Sequence, residues 1–191
     1  LDLKTKFKKR CFCPKKDGVS SEFFKMLKML KMNEQNEEDN SENEDISLKT
    51  HTLLNDKFSG KVDKLKEGFA EIHLDIISEM FADEQGLIHN GFMFSAASFA
   101  ATSAINEKYG FVIGAVVNFL SPVRQDDRVI FKAKSRQKLG RKRVVDVIGR
   151  VGDIKVFVGE FSIIIMDKHI LNVKLDEIDV SEYEDEDGFD V

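Results

Sequence analysis

Residues 83–107 read DEQGLIHNGFMFSAASFAATSAINE. The stretch begins polar and turn-like, passes through His89-Asn90-Gly91, and then carries no charged side chain until Glu107. Between Phe92 and Ile105 every residue is aromatic, Met, Ala, Ser, Thr or Ile, a composition that favours helix. Asn90 is the expected N-cap, because its side-chain oxygen can accept from an early helical N–H. A helix that is apolar or small all round is normally buried all round. At about 14 residues it falls short of the roughly 20 that span a bilayer. The expectation is a central helix enclosed by sheet, its polar N-terminus opening onto a site.

The flanking sequence reads as that sheet. Ala70, Ile72, Leu74 and Ile76 alternate with Glu71, His73 and Asp75, the period of a half-buried strand, with His73 on the polar side. Phe81–Gln85 is a short strand or loop. After the helix, Lys108-Tyr109-Gly110 is the expected stop. Phe111–Leu120 (FVIGAVVNFL) is apolar enough for a strand covered on both faces. Val129, Phe131 and Ala133 alternate again, Gly140 turns the chain, Val145 and Val147 continue, and Gly152-Asp153 is a hairpin turn before Ile154–Met166. The predicted order is a short strand, a long helix and a four-strand antiparallel meander, an α+β arrangement.

The 191 residues carry 29 basic and 34 acidic side chains, a net charge of −5 that is unevenly spread. From Ile46 to Leu175 there are 19 basic and 15 acidic residues, so the core is mildly basic. That balance suits phosphate-bearing ligands but falls far short of a nucleic-acid stripe. Residues 1–45 are expected to form an appendage: basic to Lys16, with apolar residues at helical spacing in FFKMLKMLKM (23–32), then acidic from Glu34. Such a segment suits a membrane surface or a protein partner. Residues 46–175 form the domain, opened by a short helix within Ser47–Phe58, and 176–191 form an acidic, disordered tail. The only cysteines, Cys11 and Cys13, lie outside the domain, and the four histidines have no ligand spacing, so no metal is expected. The absence of an apolar leader and of core cysteines points to the cytoplasm.

With these residues, the chain resembles the hotdog-fold superfamily of acyl-CoA thioesterases and dehydratases, over roughly residues 60–168. Within it the chain is most similar to the effector domain of the malonyl-CoA-responsive fatty-acid repressors, through FMFSAASFAA, AVVNFLSPVRQDDRVIFKAKS and GRKRVVDVIGRVGDIKVFVGEF. It also resembles the acyl-CoA-binding hotdog proteins of flagellated epsilon-class proteobacteria. The resemblance implies an antiparallel sheet wrapped around one long helix, a homodimer, and an acyl-CoA site at the dimer interface beside the helix N-terminus. No DNA-binding motif is evident in residues 1–60.

Transferred residue by residue, the resemblance removes more chemistry than it supplies. Thioesterases that read H-G-G-x-x-x-x-L-x-D place their acid where this chain has Ser98, and the dehydratase glutamate falls on Ala96. A helix body without a carboxylate supplies no general base. A second thioesterase pattern, D-x-x-G before the helix, matches Asp83-Glu84-Gln85-Gly86. On that reading Asp83 is nucleophile or base, Asn90 and Gly91 position or polarise the carbonyl, and His89 and Glu84 are lesser candidates. His89 falls where the repressors carry a malonate-binding arginine, which puts a malonyl preference in doubt. His89, Phe92 and Ser98 are the candidate ligand contacts near the thioester. Arg124 and the turn Gly140-Arg141-Lys142-Arg143 are the candidates for the CoA phosphates. Three functions stay open: an acyl-CoA-binding homodimer that senses or sequesters its ligand, a thioesterase using Asp83, and a purely structural interaction protein to which the long tails would belong. In the first two, acyl-CoA rather than a cofactor is the bound group.

Overall fold

The computed structural model describes residues 46–173, which belong to a unit beginning at Ile46. The expected appendage 1–45 and the tail from Asp176 lie outside the described residues. In chain order the elements are α1 (Asp56–Ser59), β1 (Lys61–Lys66), β2 (Phe69–Asp75), a 3-10 turn at Ser78–Met80, α2 (Asn90–Ile105), β3 (Gly110–Phe119), β4 (Arg128–Leu139), β5 (Lys142–Val151), β6 (Ile154–Ile165), and a second 3-10 turn at Ile170–Asn172. The six strands form one sheet in the order β1-β2-β4-β5-β6-β3, every neighbouring pair antiparallel.

Alternation dictates which face is covered. Ala70, Ile72 and Leu74 of β2, Val129, Phe131 and Ala133 of β4, Val145 and Val147 of β5, and Phe157, Phe161 and Ile163 of β6 are fully buried against α2. Ala96, Ala97, Ala100, Ala101 and Ala104 are also fully buried, so the small residues bring the helix close onto the sheet. Two glycines serve the same packing from the sheet side. A Cβ on Gly149 would lie 2.8 Å from the Phe131 ring, and one on Gly159 would lie 3.0 Å from Val117. The space they leave lets Phe119, Phe157 and Phe131 meet edge to face across the sheet, at 5.5 and 5.8 Å between ring centroids.

Several expectations change. The sheet is not a simple strand-helix-meander series. β3 does not pair with β4 but lies at the opposite edge, beyond β6, because α2 crosses the sheet before delivering the chain to β3. An unexpected strand, β1, forms the other edge. Its KVDKLK sequence half-buries Val62 and Leu65 and exposes Lys61, Asp63 and Lys64, charge that protects an edge from further pairing. The lead-in helix shrinks to α1. His51 takes φ of 51°, which interrupts a helix, and the Asn106 side chain holds the segment extended by bonding Lys49 N–H and Ser47 C=O. Asn106, in the left-handed conformation, ends α2, and Gly110 instead opens β3. His73 is half-buried, its Nδ1 2.7 Å from Asp63 Oδ1, rather than simply exposed.

β3 departs most from expectation. Its composition suggested cover on both faces, yet Val116 is 64% exposed and Phe111 and Phe119 remain exposed. An apolar strand with one unpaired edge is a template for another strand.

Candidate functional site

The chain leaves β2 at Ile76, which exchanges backbone hydrogen bonds with Asp126 and Asp127 in the loop before β4. This fastens that loop to the end of the sheet where α2 begins. At the same end Arg128 donates twice to Asp75, at 2.6 and 2.9 Å, and holds that carboxyl below the usual range. After the Ser78–Met80 turn, Phe81 and Ile88 pair as an isolated antiparallel bridge around a tight loop. Gly86, at φ 81°, permits its tip. Asp83 Oδ1 accepts from the backbone N–H groups of both Gln85 and Leu87, each at 3.0 Å. The carboxylate of the D-x-x-G pattern thus braces its own turn.

His89 N–H bonds Met80 C=O, seating the next residue at the start of α2. The predicted cap was Asn90, but Asn90 is the first helical residue and His89 is the cap, its Nδ1 accepting from Gly91 N–H at 3.0 Å. An accepting Nδ1 carries no proton, so the ring presents Nε2–H outward. Gly91 is fitted to this cap, since a Cβ there would lie 2.7 Å from the ring. Phe92 is half-buried, 5.7 Å from Phe58 and edge-on to His89 at 6.2 Å. Asp83, Glu84, His89, Asn90 and Gly91 are all exposed on this one doorstep.

The other candidates are dispersed. Ser98 is half-buried two turns into α2, its carbonyl accepting from Thr102 Oγ1, and Ala96 is fully buried. Arg124 is exposed in the loop at the doorstep end, its N–H bonded to Asp127. Gly140, Arg141, Lys142 and Arg143 form the β4–β5 hairpin tip at the opposite end of α2, about 24 Å away by the helical rise. There Arg141 pairs with Asp167, and Arg143 folds back onto the carbonyls of Gly140 and Lys142. Arg143 also lines a cavity of about 360 Å³ with Lys49, Lys66, Ala104 and Asn106, so within one chain the hairpin belongs to the C-terminal end of the helix.

Sequence reasoning missed the apolar rim of the doorstep. Phe81, Leu87 and Phe94 keep 38, 51 and 38% exposure around the first turn of α2. The available signal was Phe94 itself, which lies one turn from Asn90 and Gly91 and one from Ser98 and so shares their face. Among the described residues, no group of acidic, His or Cys side chains could hold a metal, and no helix is long and apolar enough to cross a membrane.

Solved structures share this fold. The uncharacterized protein PH1136 from Pyrococcus horikoshii is 38% identical, with a TM-score of 0.66, covering 66% of this chain and 98% of that one. Cj0977, a sigma28-regulated virulence protein from Campylobacter jejuni, is 34% identical, with a TM-score of 0.63, covering 64% and 95%. The chain belongs to the hotdog-fold thioesterase-like superfamily. A hypothetical thioesterase from Streptococcus pneumoniae, solved with coenzyme A, shares the hotdog fold at 15% identity and a TM-score of 0.52, covering 57% and 87%. Among curated proteins, the transcription factor FapR of a Thermoanaerobacter species is 26% identical over 134 residues, 70% of this chain and 67% of that protein. The methylthioribose-1-phosphate isomerase of Aquifex aeolicus is 42% identical over 116 residues, 61% of this chain. This hotdog chain spans only a quarter of that protein's length, and the isomerase name belongs to the whole. No protein-family model matches the chain.

Proposed function

We propose that this hotdog protein is a homodimer that binds fatty acyl-CoA, sensing or sequestering it rather than hydrolysing it. The observation that carries the choice is how the doorstep uses its groups. A thioesterase of the D-x-x-G kind needs a carboxylate for water or carbonyl and open N–H groups for the developing oxyanion. Here Asp83 Oδ1 accepts two loop N–H groups and Gly91 N–H is taken by His89. The N-terminal end of α2 still favours the carbonyl electrostatically, and Nε2–H of His89 is a donor for it. The apolar rim of Phe81, Leu87 and Phe94 suits the acyl chain.

The dimer is supported by the bare edge of β3 and by the exposed Phe111, Val116 and Phe119 along it. Two copies of β3 related by a two-fold axis run antiparallel, so each Gly110 end lies beside the partner's Phe119 end. Phe119 leads to the doorstep end of the sheet and Gly110 follows the far end of α2. The pairing therefore brings the partner's helix C-terminal end toward the doorstep, and with it a route for the CoA nucleotide that a single chain lacks.

Purified protein incubated with acyl-CoAs of graded length tests the reading, with retained ligand and released thiol measured together. Retention without thiol release is expected. Turnover that disappears in Asp83→Ala would establish the thioesterase alternative, and retention of no acyl-CoA would overturn both.

A further inference from the structure

A second cleft, of about 230 Å³, lies where α2 hands over to β3, between Thr50-His51, Lys108–Phe111 and His169-Ile170. Neither the doorstep nor the β4–β5 hairpin tip contributes to its lining. Its polar lining consists of Thr50, His51, Lys108, Tyr109 and His169. Thr50 is 3% exposed, and its Oγ1 lies 2.7 Å from His51 Nδ1. With the hydroxyl as donor in this contact, the His51 ring proton lies on Nε2, the tautomer required for His51 to act as a donor. His51 holds a left-handed backbone, φ 51°, which a non-glycine residue seldom adopts. Burial lowers its pKa, so it is a neutral hydrogen-bonding ring. On the facing wall His169 Nδ1 accepts from Leu171 N–H at 3.2 Å, which again places the proton on Nε2. Tyr109 meets His169 edge-on at 6.3 Å, and Lys108 Nζ stands 5.2 Å from the Tyr109 ring centre. Among the described residues no carboxylate lines the cleft and Lys108 has no acidic partner.

A cation, two imidazoles and a phenol lining one cleft, with no carboxylate among the described lining residues, match an anion with several acceptor oxygens. A carboxylate would use two of those donors, whereas a phosphoryl group has three terminal oxygens. The cleft is smaller than the roughly 300 Å³ at which drug-sized sites begin, so it suits a phosphoryl group with its sugar rather than a whole nucleotide. The aromatic faces of Tyr109 and Phe111 supply the apolar wall such a sugar packs on.

We propose that this cleft binds a phosphomonoester, with Lys108 as its charge and His51, His169 and Tyr109 as its hydrogen-bond donors. The described lining lies within one chain; a CoA phosphate as occupant rests on the acyl-CoA reading proposed above, whereas a free phosphorylated sugar does not. Its occupant is either a free phosphorylated sugar or the 3′-phosphate of a CoA whose acyl end lies at the partner's doorstep. Titration calorimetry of the full chain with ribose 5-phosphate, ribose, CoA and 3′-dephospho-CoA tests it. Wild type, Lys108→Gln and the remote control Lys61→Gln are compared, and thermal melts verify that each is folded. Ribose 5-phosphate is expected to bind where ribose does not, and Lys108→Gln to weaken it about tenfold or more while Lys61→Gln leaves it unchanged. If CoA exceeds dephospho-CoA by a similar factor and loses that advantage in Lys108→Gln, the phosphate is that of CoA. Equal binding of the two beside intact ribose 5-phosphate binding identifies a free sugar phosphate. Ribose 5-phosphate and CoA binding that are both indifferent to Lys108→Gln, or no phosphomonoester binding at millimolar concentration, would overturn the assignment, whatever the acyl-CoA result.

Discussion

Replacing Asp83 by Asn and by Ala separates the two roles a carboxylate can have at the doorstep. Asn keeps an oxygen at the Oδ1 position and can accept from Gln85 and Leu87, but it is neither nucleophile nor base. Ala removes both bonds, which measure 3.0 Å each. An ordinary hydrogen bond contributes about 0.5–1.5 kcal/mol net, and these two are exposed, so Asp83→Ala should loosen the loop by about 1–2 kcal/mol. The loop carries Phe81 and Leu87. If the bound state requires it closed, acyl-CoA affinity falls by at most about 5–30-fold in Asp83→Ala. Asp83→Asn should stay within about twofold of wild type. Hydrogen exchange reads the turn directly, since the Gln85 and Leu87 amides should exchange faster in Asp83→Ala and little changed in Asp83→Asn. Affinity and thiol release on the same three proteins complete the comparison. Were Asp83→Asn to abolish a thiol release present in wild type, with Gln85 and Leu87 still protected, the charge would be the functional element and the binding reading would fail.

Three further outcomes follow from the packing. Asp146 and Glu160 are opposed across β5 and β6, and Arg136 donates to Glu160 and forms an ion pair with Asp146 at 3.6 Å. Burial raises the Asp146 pKa above its unfolded value, so ionised Asp146 opposes folding at neutral pH, and that cost falls away as acidification protonates the folded state first. Arg136→Gln should therefore destabilise by about 1–2 kcal/mol at pH 7, modest because Arg136 is over a third exposed, and by progressively less as the pH is lowered in urea titrations. A deficit unchanged by pH would remove the electrostatic explanation. Gly149→Ala drives a methyl to within 2.8 Å of the Phe131 ring and should cost about 1–3 kcal/mol in chemical denaturation. Val116→Lys puts a charge on each of two bare β3 edges and should shift light-scattering mass from dimer to monomer, whereas an undisturbed dimer would place the interface elsewhere.

The helix and the later strands were legible because their patterns are local. Period-2 alternation gave β2, β4 and β5, and turn glycines at Gly140 and Gly152, with φ of 55° and 53°, marked both hairpins. What misled was non-local. FVIGAVVNF reads as a strand buried on both sides because its apolar content is that of an inner strand, but its place at the edge is fixed by where α2 delivers it. β1 was hidden for the opposite reason, since an edge strand full of lysine resembles a loop until Phe69–His73 pairs with it. His89 displaced Asn90 as the cap because the Met80–His89 bond sets the frame one residue earlier. The cleft at His51 and His169 joins residues more than a hundred positions apart, with no spacing to announce it.

The same distinction bears on function. Asp83-x-x-Gly86 is equally good sequence for a reactive acid and for a side-chain-braced turn, because Asp accepts N–H bonds in both. What separates them is whether the acceptor oxygen and the first helical N–H groups remain open. Here the side chains of two residues ahead of the helix, Asp83 in the loop and His89 at the cap, take up three backbone donors, one of them helical. Such satisfied groups stiffen the doorstep and cost little to maintain, whereas an oxyanion hole needs donors left unsatisfied until the transition state. A chain that had kept its helix acid could afford a braced entrance and still react. With Ser98 and Ala96 at the helix positions instead, the braced entrance is the feature that favours the proposed binding role, and the Asp83 variants are its test.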